Sequence, residues 1–168
     1  GSEMCIRDRF RIRENGVVEL ADFSSQEVKK AVMEPKEDIC YPAVEIHRSG
    51  TGSLNMHAYK NNINQSSVDF VYENHELKAQ AGGKELEIVM ISPEKLKAVY
   101  HMRLFDGVPA VQTWTEIINE GSEDQGLTYV SSFMYQGISR GGEKPYYKKT
   151  DIYVPFNSLS LIHISEPT

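Results

Sequence analysis

The stretch LKAVYHMRLFDGVPAVQTWTEIINEG, residues 96–121, decides the fold class of this chain. Apolar side chains occupy every second position from Leu96 to Leu104, and basic side chains occupy most of the positions between them. A period of two predicts a β-strand with one buried face and one wet face. Asp106-Gly107 then supplies a tight turn, and the β-branched residues around Trp114 predict a returning strand. The stretch therefore predicts an antiparallel hairpin.

The same period extends outward in both directions. Alternating runs at Val68–Tyr72 and Leu86–Met90 precede the hairpin, and shorter runs at Leu127–Phe133 and Ile152–Val154 follow it. Asn15-Gly16 lies between two further apolar segments and is a strong hairpin signal. No helical pattern separates successive strands. The chain is therefore predicted to be all-β, an antiparallel β-sandwich of the supersandwich type with little helix.

Two segments depart from the strand pattern. Residues Ser25–Met33 fit one capped helical turn, or else a polar linker that ends at Pro35. The polar stretch Ser49–Ser67 is rich in Gly, Asn and Ser and is predicted to be the longest irregular connection. Long loops on a rigid sandwich are where binding residues concentrate, although a solvated loop without a ligand fits the same composition.

Composition and charge exclude several classes of protein. The chain has 168 residues, which is one domain, and its 18 basic and 24 acidic side chains give a net charge of −6. That sign argues against nucleic acid and against an anionic membrane surface as partners. No apolar run approaches the ~20 residues that span a bilayer. Cys5 and Cys40 are too few for a disulfide scaffold, which is compatible with a cytoplasmic protein.

Few residues show a spacing that carries chemistry. His47 and His57 flank the start of the polar stretch, but no carboxylate or thiol stands at ligand spacing with them, so no metal and no cofactor is expected. His101 falls on the polar side of its strand and is predicted to lie at the surface. Glu116 shares a strand face with Trp114, where it serves either as a buried acid or, more simply, as a partner of a neighbouring strand.

Aromatic side chains are concentrated in the C-terminal half of the chain. Such rings either fill the core of a sandwich or form a platform that binds the apolar face of a sugar. Tyr146 and Tyr147, which lie beside three lysines, are predicted to be the most exposed set.

The order and spacing of several segments resembles the N-terminal β-sandwich domain of α-galactosidases of glycoside hydrolase family 36. The resemblance covers about residues 10–158. The segments that carry it are Gly83-Lys-Glu-Leu-Glu-Ile88, Asp106-Gly-Val-Pro-Ala-Val-Gln-Thr-Trp-Thr-Glu116, Asn119-Glu-Gly121, Leu127-Thr-Tyr-Val-Ser-Ser-Phe133 and Ile152-Tyr-Val-Pro-Phe-Asn-Ser158.

The resemblance implies an accessory role. In that family a (β/α)₈ barrel follows the sandwich and carries an Asp nucleophile and an Asp acid/base. The family removes terminal α-galactosyl residues from oligosaccharides such as melibiose and raffinose, and its members are usually homo-oligomers. The resemblance places substrate contacts at His57 and Lys60. The chain alone is expected to be inactive; the alternative is a stand-alone carbohydrate-binding or interaction module.

The two ends of the chain do not share the strand pattern. Met4–Arg9 and Ser160–Thr168 resemble translated sequencing-adapter DNA. We therefore expect residues 1–9 and 160–168 to be non-native and residues 10–159 to be the sandwich domain, a piece of a longer protein.

Overall fold

Antiparallel β-strands make up nearly all of the regular structure in a computed structural model, which describes residues 7–24, 40–57 and 60–135. The fold is all-β and sandwich-like, as the alternation predicts. In chain order the elements are β1 (Arg7–Ile12), β2 (Val18–Ser24), β3 (Ile46–Arg48), β4 (Ser53–His57), β5 (Lys60–Asn64), α1 (Gln65–Val68), β6 (Val71–Gln80), β7 (Gly83–Ile91), β8 (Leu96–Phe105), β9 (Val111–Asn119) and β10 (Leu127–Val130).

The largest sheet is a meander of four strands in the order β6-β7-β8-β9. Each strand pairs with the next one along the chain, and the predicted turn at Asp106-Gly107 joins β8 to β9. A side chain at Gly83 would collide with the backbone carbonyl of Leu104 on the neighbouring strand, so this position of the β6–β7 hairpin requires glycine. Because β8 pairs antiparallel with β9 across the Asp106-Gly107 turn, the hairpin predicted from residues 96–121 is confirmed.

The hydrophobic core lies against one face of this sheet. Alternate residues of β8 are almost completely buried, as the period of two predicts. The buried residues that form the cluster are Val18, Leu20, Ala43, Val44, Ile46, Phe70, Ile88, Met90, Leu96, Ala98, Tyr100 and Met102. They come from β7 and β8 of the large sheet, from β2, β3 and the segment before β3, and from Phe70 just before β6. This apolar contact is what makes the fold sandwich-like.

The β1–β2 hairpin packs against the core face of the large sheet. Its turn is the predicted Asn15-Gly16, where Gly16 has a φ of 84° and its carbonyl accepts a hydrogen bond from Tyr72 N at 2.8 Å. Phe10 contacts the ring of Tyr100 edge-on, with ring centroids 6.0 Å apart. The predicted hairpin is confirmed, and β1 begins at Arg7, within the segment 1–9.

The polar stretch Ser49–Ser67 was predicted to be irregular, and that prediction is wrong. It contains β4, β5 and the first three residues of α1. Asn64 ends β5 and caps α1, because its side-chain oxygen accepts a hydrogen bond from Ser66 N at 3.0 Å. The hydroxyls of Ser66 and Ser67 both donate to the carbonyl of Ile46 in β3. Backbone pairing and capping therefore order a sequence with low strand propensity.

Strand β10 is shorter than predicted and pairs antiparallel with β3. Leu127 and Tyr129 are both exposed on it. The predicted helical turn at Ser25–Met33, the strand at Ile152–Val154 and the pair Tyr146 and Tyr147 lie outside the described residues. Within the described ranges, no helix has the length and apolar character that crossing a membrane requires.

Candidate functional site

The outer face of the large sheet, opposite the core, carries a group of ionisable side chains. We call Glu85, Glu87, His101 and Glu116 the histidine–glutamate cluster. Strand register brings them together, because Glu87 and Trp114 lie opposite His101 on the two neighbouring strands and Glu116 lies two positions from Trp114 on the same face of β9. Residues two apart on a strand share a face, so three neighbouring strands contribute to one patch.

His101 is the centre of the cluster, and the prediction that it lies at the surface is wrong. Only 6% of the residue is exposed. The indole of Trp114 stacks on its ring, with centroids 4.5 Å apart and planes inclined by 5°. The polar face of a central strand is covered here by the long side chains of the strands on either side. Alternation therefore identified the face of His101 correctly but not its burial.

Both ring nitrogens of His101 face carboxylates. Nδ1 lies 3.2 Å from Glu85 Oε1, within hydrogen-bond distance, and 3.7 Å from Glu87 Oε1. Nε2 is buried without a hydrogen bond, 3.6 Å from Glu116 Oε1. An imidazole with carboxylates beside both nitrogens can donate toward both of them only when both nitrogens carry a proton.

Two cations also contact the carboxylates. Arg103 Nε lies 3.4 Å from Glu85 Oε2, and Lys78 Nζ lies 2.6 Å from Glu87 Oε1. The hydrogen bond to Glu87 raises the pKa of Lys78 above its ordinary value. The cluster is thus an alternating network of charges in which each buried carboxylate has a basic partner, as burial of charge requires.

The cluster offers ligands of the right type for a divalent cation. One atom each from Glu85, Glu87 and His101 lies within 4.8 Å of the others. However, Lys78 and Arg103 already occupy oxygens of these carboxylates, and a cation would have to displace them. The same contacts argue against a glycosidase acid, which needs an apolar wall beside the carboxyl. The arrangement suits a polar network that joins β7, β8 and β9.

Thr115 and Asn119 of the motif segments make structural contacts elsewhere in the fold. Thr115 Oγ1 donates to the carbonyl of Ser131 at 2.9 Å. Ser131 in turn exchanges two hydrogen bonds with Glu45, from its own N–H at 2.8 Å and to its hydroxyl at 2.8 Å. The Asn119 side chain accepts from Gly121 N at 3.0 Å and donates to the carbonyl of Glu123 at 2.9 Å, which closes the turn after β9.

The predicted substrate-binding residues lie on a different pair of strands. His57 ends β4 and Lys60 begins β5, and the two backbones lie opposite each other. Their side chains lie outside the described part of the structure, so substrate contact at His57 and Lys60 stays a prediction. His47, the other histidine beside the polar stretch, bonds Glu45 Oε1 at 2.9 Å and contacts the ring of Tyr129, with centroids 5.1 Å apart.

Sequence reasoning missed the cluster as a site, although one signal was present. Glu85 and Glu87 alternate with apolar residues on one predicted strand, and His101 alternates in the same way on the next. What the sequence lacks is the register that sets Glu87 opposite His101. Comparison with known proteins adds no identification: no family model, no curated protein and no solved structure matches this chain.

Proposed function

We propose that this chain is the accessory N-terminal β-sandwich domain of a retaining α-galactosidase, which hydrolyses terminal α-D-galactosyl residues of oligosaccharides. Catalysis belongs to a (β/α)₈ barrel of the parent protein, and the sandwich supports that barrel and its oligomer contacts. One observation carries the accessory role: Trp114, Thr115 and Asn119, which belong to the segments that suggest the family, make contacts within the fold.

The contacts of Trp114, Thr115 and Asn119 support this role. The Trp114 indole covers His101, Thr115 ties β9 to the carbonyl of Ser131, and Asn119 closes the turn that leads toward β10. Each side chain is used within the fold. A motif with this use is expected of a scaffold, whereas a catalytic motif directs its side chains toward a space that substrate can enter.

The charges of the cluster support the assignment of catalysis to another domain. Glu85 and Glu87 are near enough to act as a pair, but each of them contacts a cation in the outer face of the sheet. In addition, Phe105 and Val108 are exposed at the β8–β9 turn, with 37% and 52% of their surfaces accessible. Exposed apolar groups at one end of a sheet suit contact with another domain.

Activity measurements on two preparations test the proposal. The purified chain alone is expected to release no nitrophenol from p-nitrophenyl α-D-galactoside. Added to a retaining α-galactosidase whose own sandwich has been deleted, it is expected to increase the soluble active fraction. A chain carrying Trp114→Ala should lose this effect, and one carrying the matched exposed change Tyr129→Ala should keep it. Turnover by the chain alone that Glu85→Gln abolishes would overturn the accessory role.

A second candidate function is a free-standing carbohydrate-binding module. The observation in its favour is Tyr129, which is 51% exposed and whose ring is supported by His47. A ring held in this way can stack on a sugar. Calorimetry with galactose and raffinose distinguishes the candidates: binding heat that disappears in Tyr129→Ala supports the module, and the absence of heat with the wild-type chain excludes it for these sugars.

A further inference from the structure

Within the described part of the chain, strand β6 is an open edge of the large sheet. Among residues 7–24, 40–57 and 60–135, it pairs along its length with β7 alone, and only Tyr72 near its start bonds another segment, at Gly16. The strand is ten residues long, and every residue from Glu73 to Leu77 is exposed. Half of the backbone groups of such a strand point away from its neighbour, which makes the edge a template for another strand.

We propose that β6 pairs antiparallel with β6 of a second copy of this chain, about a two-fold axis at Leu77. The two four-stranded sheets would then form one sheet of eight strands. This inference needs neither a barrel nor a sugar, and it therefore stands or falls independently of the proposed function.

The charges along β6 select this register. A two-fold axis perpendicular to a sheet keeps each side chain on its own face, so opposed residues belong to the same face. With the axis at Leu77, Glu76 lies opposite Lys78 of the second copy, and Lys78 lies opposite its Glu76. With the axis at Glu76 or at Lys78, like charges would oppose each other, which is unfavourable. The edge is therefore complementary to itself in one register.

Leu77 is 62% exposed, more than any other large apolar residue in the described ranges. It lies on the core face of the sheet, opposite Leu86 of β7. In the proposed register Leu77 meets Leu77 of the second copy, so each would cover the other. Apolar pairs directly across neighbouring strands are a main source of sheet stability.

Lys78 can pair with Glu76 of the second copy without losing its contacts within its own chain. Its Nζ lies 2.6 Å from Glu87 Oε1 on β7 and 3.7 Å from Glu76 Oε2 on β6. An ammonium group has three donors, so Lys78 can donate to Glu87 within its own chain and to Glu76 of the second copy at the same time. Since few residues meet along one strand edge, we expect a weak dimer that high salt dissociates.

Sedimentation velocity over a concentration series tests the proposal by charge reversal. E76K alone and K78E alone each place like charges opposite each other twice, so each is expected to weaken self-association by about tenfold or more. Mixed in equal amounts, the two variants again oppose Lys to Glu and are expected to associate with each other. The double variant E76K/K78E should self-associate as the wild type does.

Two further variants separate pairing from folding. E123K changes the net charge by the same amount as E76K in an exposed turn away from β6, and it should leave association intact. L77D leaves Lys78 and Glu87 unchanged and should abolish association while thermal melting stays cooperative. A wild-type chain that remains monomeric at all concentrations, or a mixture of E76K and K78E that fails to associate, overturns the proposal.

Discussion

On the outer face of the sheet, an aromatic ring covers one side of the His101 imidazole. The Trp114 indole stacks on it at 4.5 Å, and carboxylates lie at both of its nitrogens. The environment of His101 therefore depends on this indole on one face of the ring and on carboxylates at its nitrogens. Removing the indole would expose the network of charges to water and leave apolar contacts unmade.

Truncation of Trp114 measures this dependence. We expect Trp114→Ala to lower the free energy of unfolding by about 2–3 kcal/mol, less than for a fully buried tryptophan because Trp114 is partly exposed. Urea unfolding followed by circular dichroism gives the value. Tyr129→Ala, at an exposed ring, should cost less than about 1 kcal/mol; an equal loss in both variants would contradict a covering role for Trp114.

The strands follow from sequence more completely than the site does. Alternation between Leu96 and Leu104 specifies both the strand and its buried face, because burial of one face requires that period. The strands in Ser49–Ser67 escaped prediction because Asn and Ser carry little strand propensity and are ordered by caps and by Ile46. The cluster escaped because register, which depends on pairing across strands, decides which ionisable groups meet.

At the scale of elements, the turn between β7 and β8 contains an unfavourable backbone conformation. Lys95 has a φ of 63°, the left-handed region that non-glycine residues enter at a cost. Its N–H nevertheless donates to the Ser92 carbonyl at 3.0 Å, and Ser92 N donates to the Leu96 carbonyl at 2.9 Å. Pairing of the flanking strands therefore holds Lys95 in this conformation.

Replacement of Lys95 by glycine should relieve this cost. We expect Lys95→Gly to stabilise the chain by up to about 1 kcal/mol, since relief of the left-handed conformation exceeds the added flexibility of the unfolded chain. Thermal unfolding at neutral pH is the measurement. Lys84→Gly, at an exposed position inside β7, should be destabilising by roughly 0.5–1 kcal/mol. Destabilisation of both variants to the same extent would contradict strain at Lys95.

At the scale of the whole described fold, Arg48 joins the layer that contains β3 to the large sheet. Arg48 is buried, and its guanidinium lies 2.9 Å from Asp69 Oδ2 and 2.6 Å from Glu94 Oε2 in the β7–β8 turn. Burial raises the pKa of Glu94, but hydrogen bonds from its own backbone N–H, from Arg48 and from Ser92 outweigh that effect, and the pKa lies below its ordinary value.

This lowered pKa predicts how stability responds to acid. A carboxyl with a lower pKa in the folded state stabilises the fold above its ordinary pKa of 4.5 and loses that contribution as the pH falls through the folded value. Glu94→Gln should therefore reduce stability at neutral pH by less than about 1 kcal/mol, because the side chain is 43% exposed, and flatten the decline below about pH 4.5. Urea unfolding at several pH values, with Glu123→Gln as the control, checks this. Parallel curves for wild type and Glu94→Gln would contradict it.

The pairing of β3 with β10 differs from the pairing inside the meander in the length of chain that it closes. Each strand of the meander finds its partner across a short turn, whereas Thr128 reaches the carbonyl of His47 across 81 positions. Closing a long loop costs chain entropy before any contact repays it, so nearby pairs form sooner. During refolding, amide protons of β7 and β8 should acquire protection from exchange before those of β3. The meander then forms first, and the strands that precede it in the sequence pack against it.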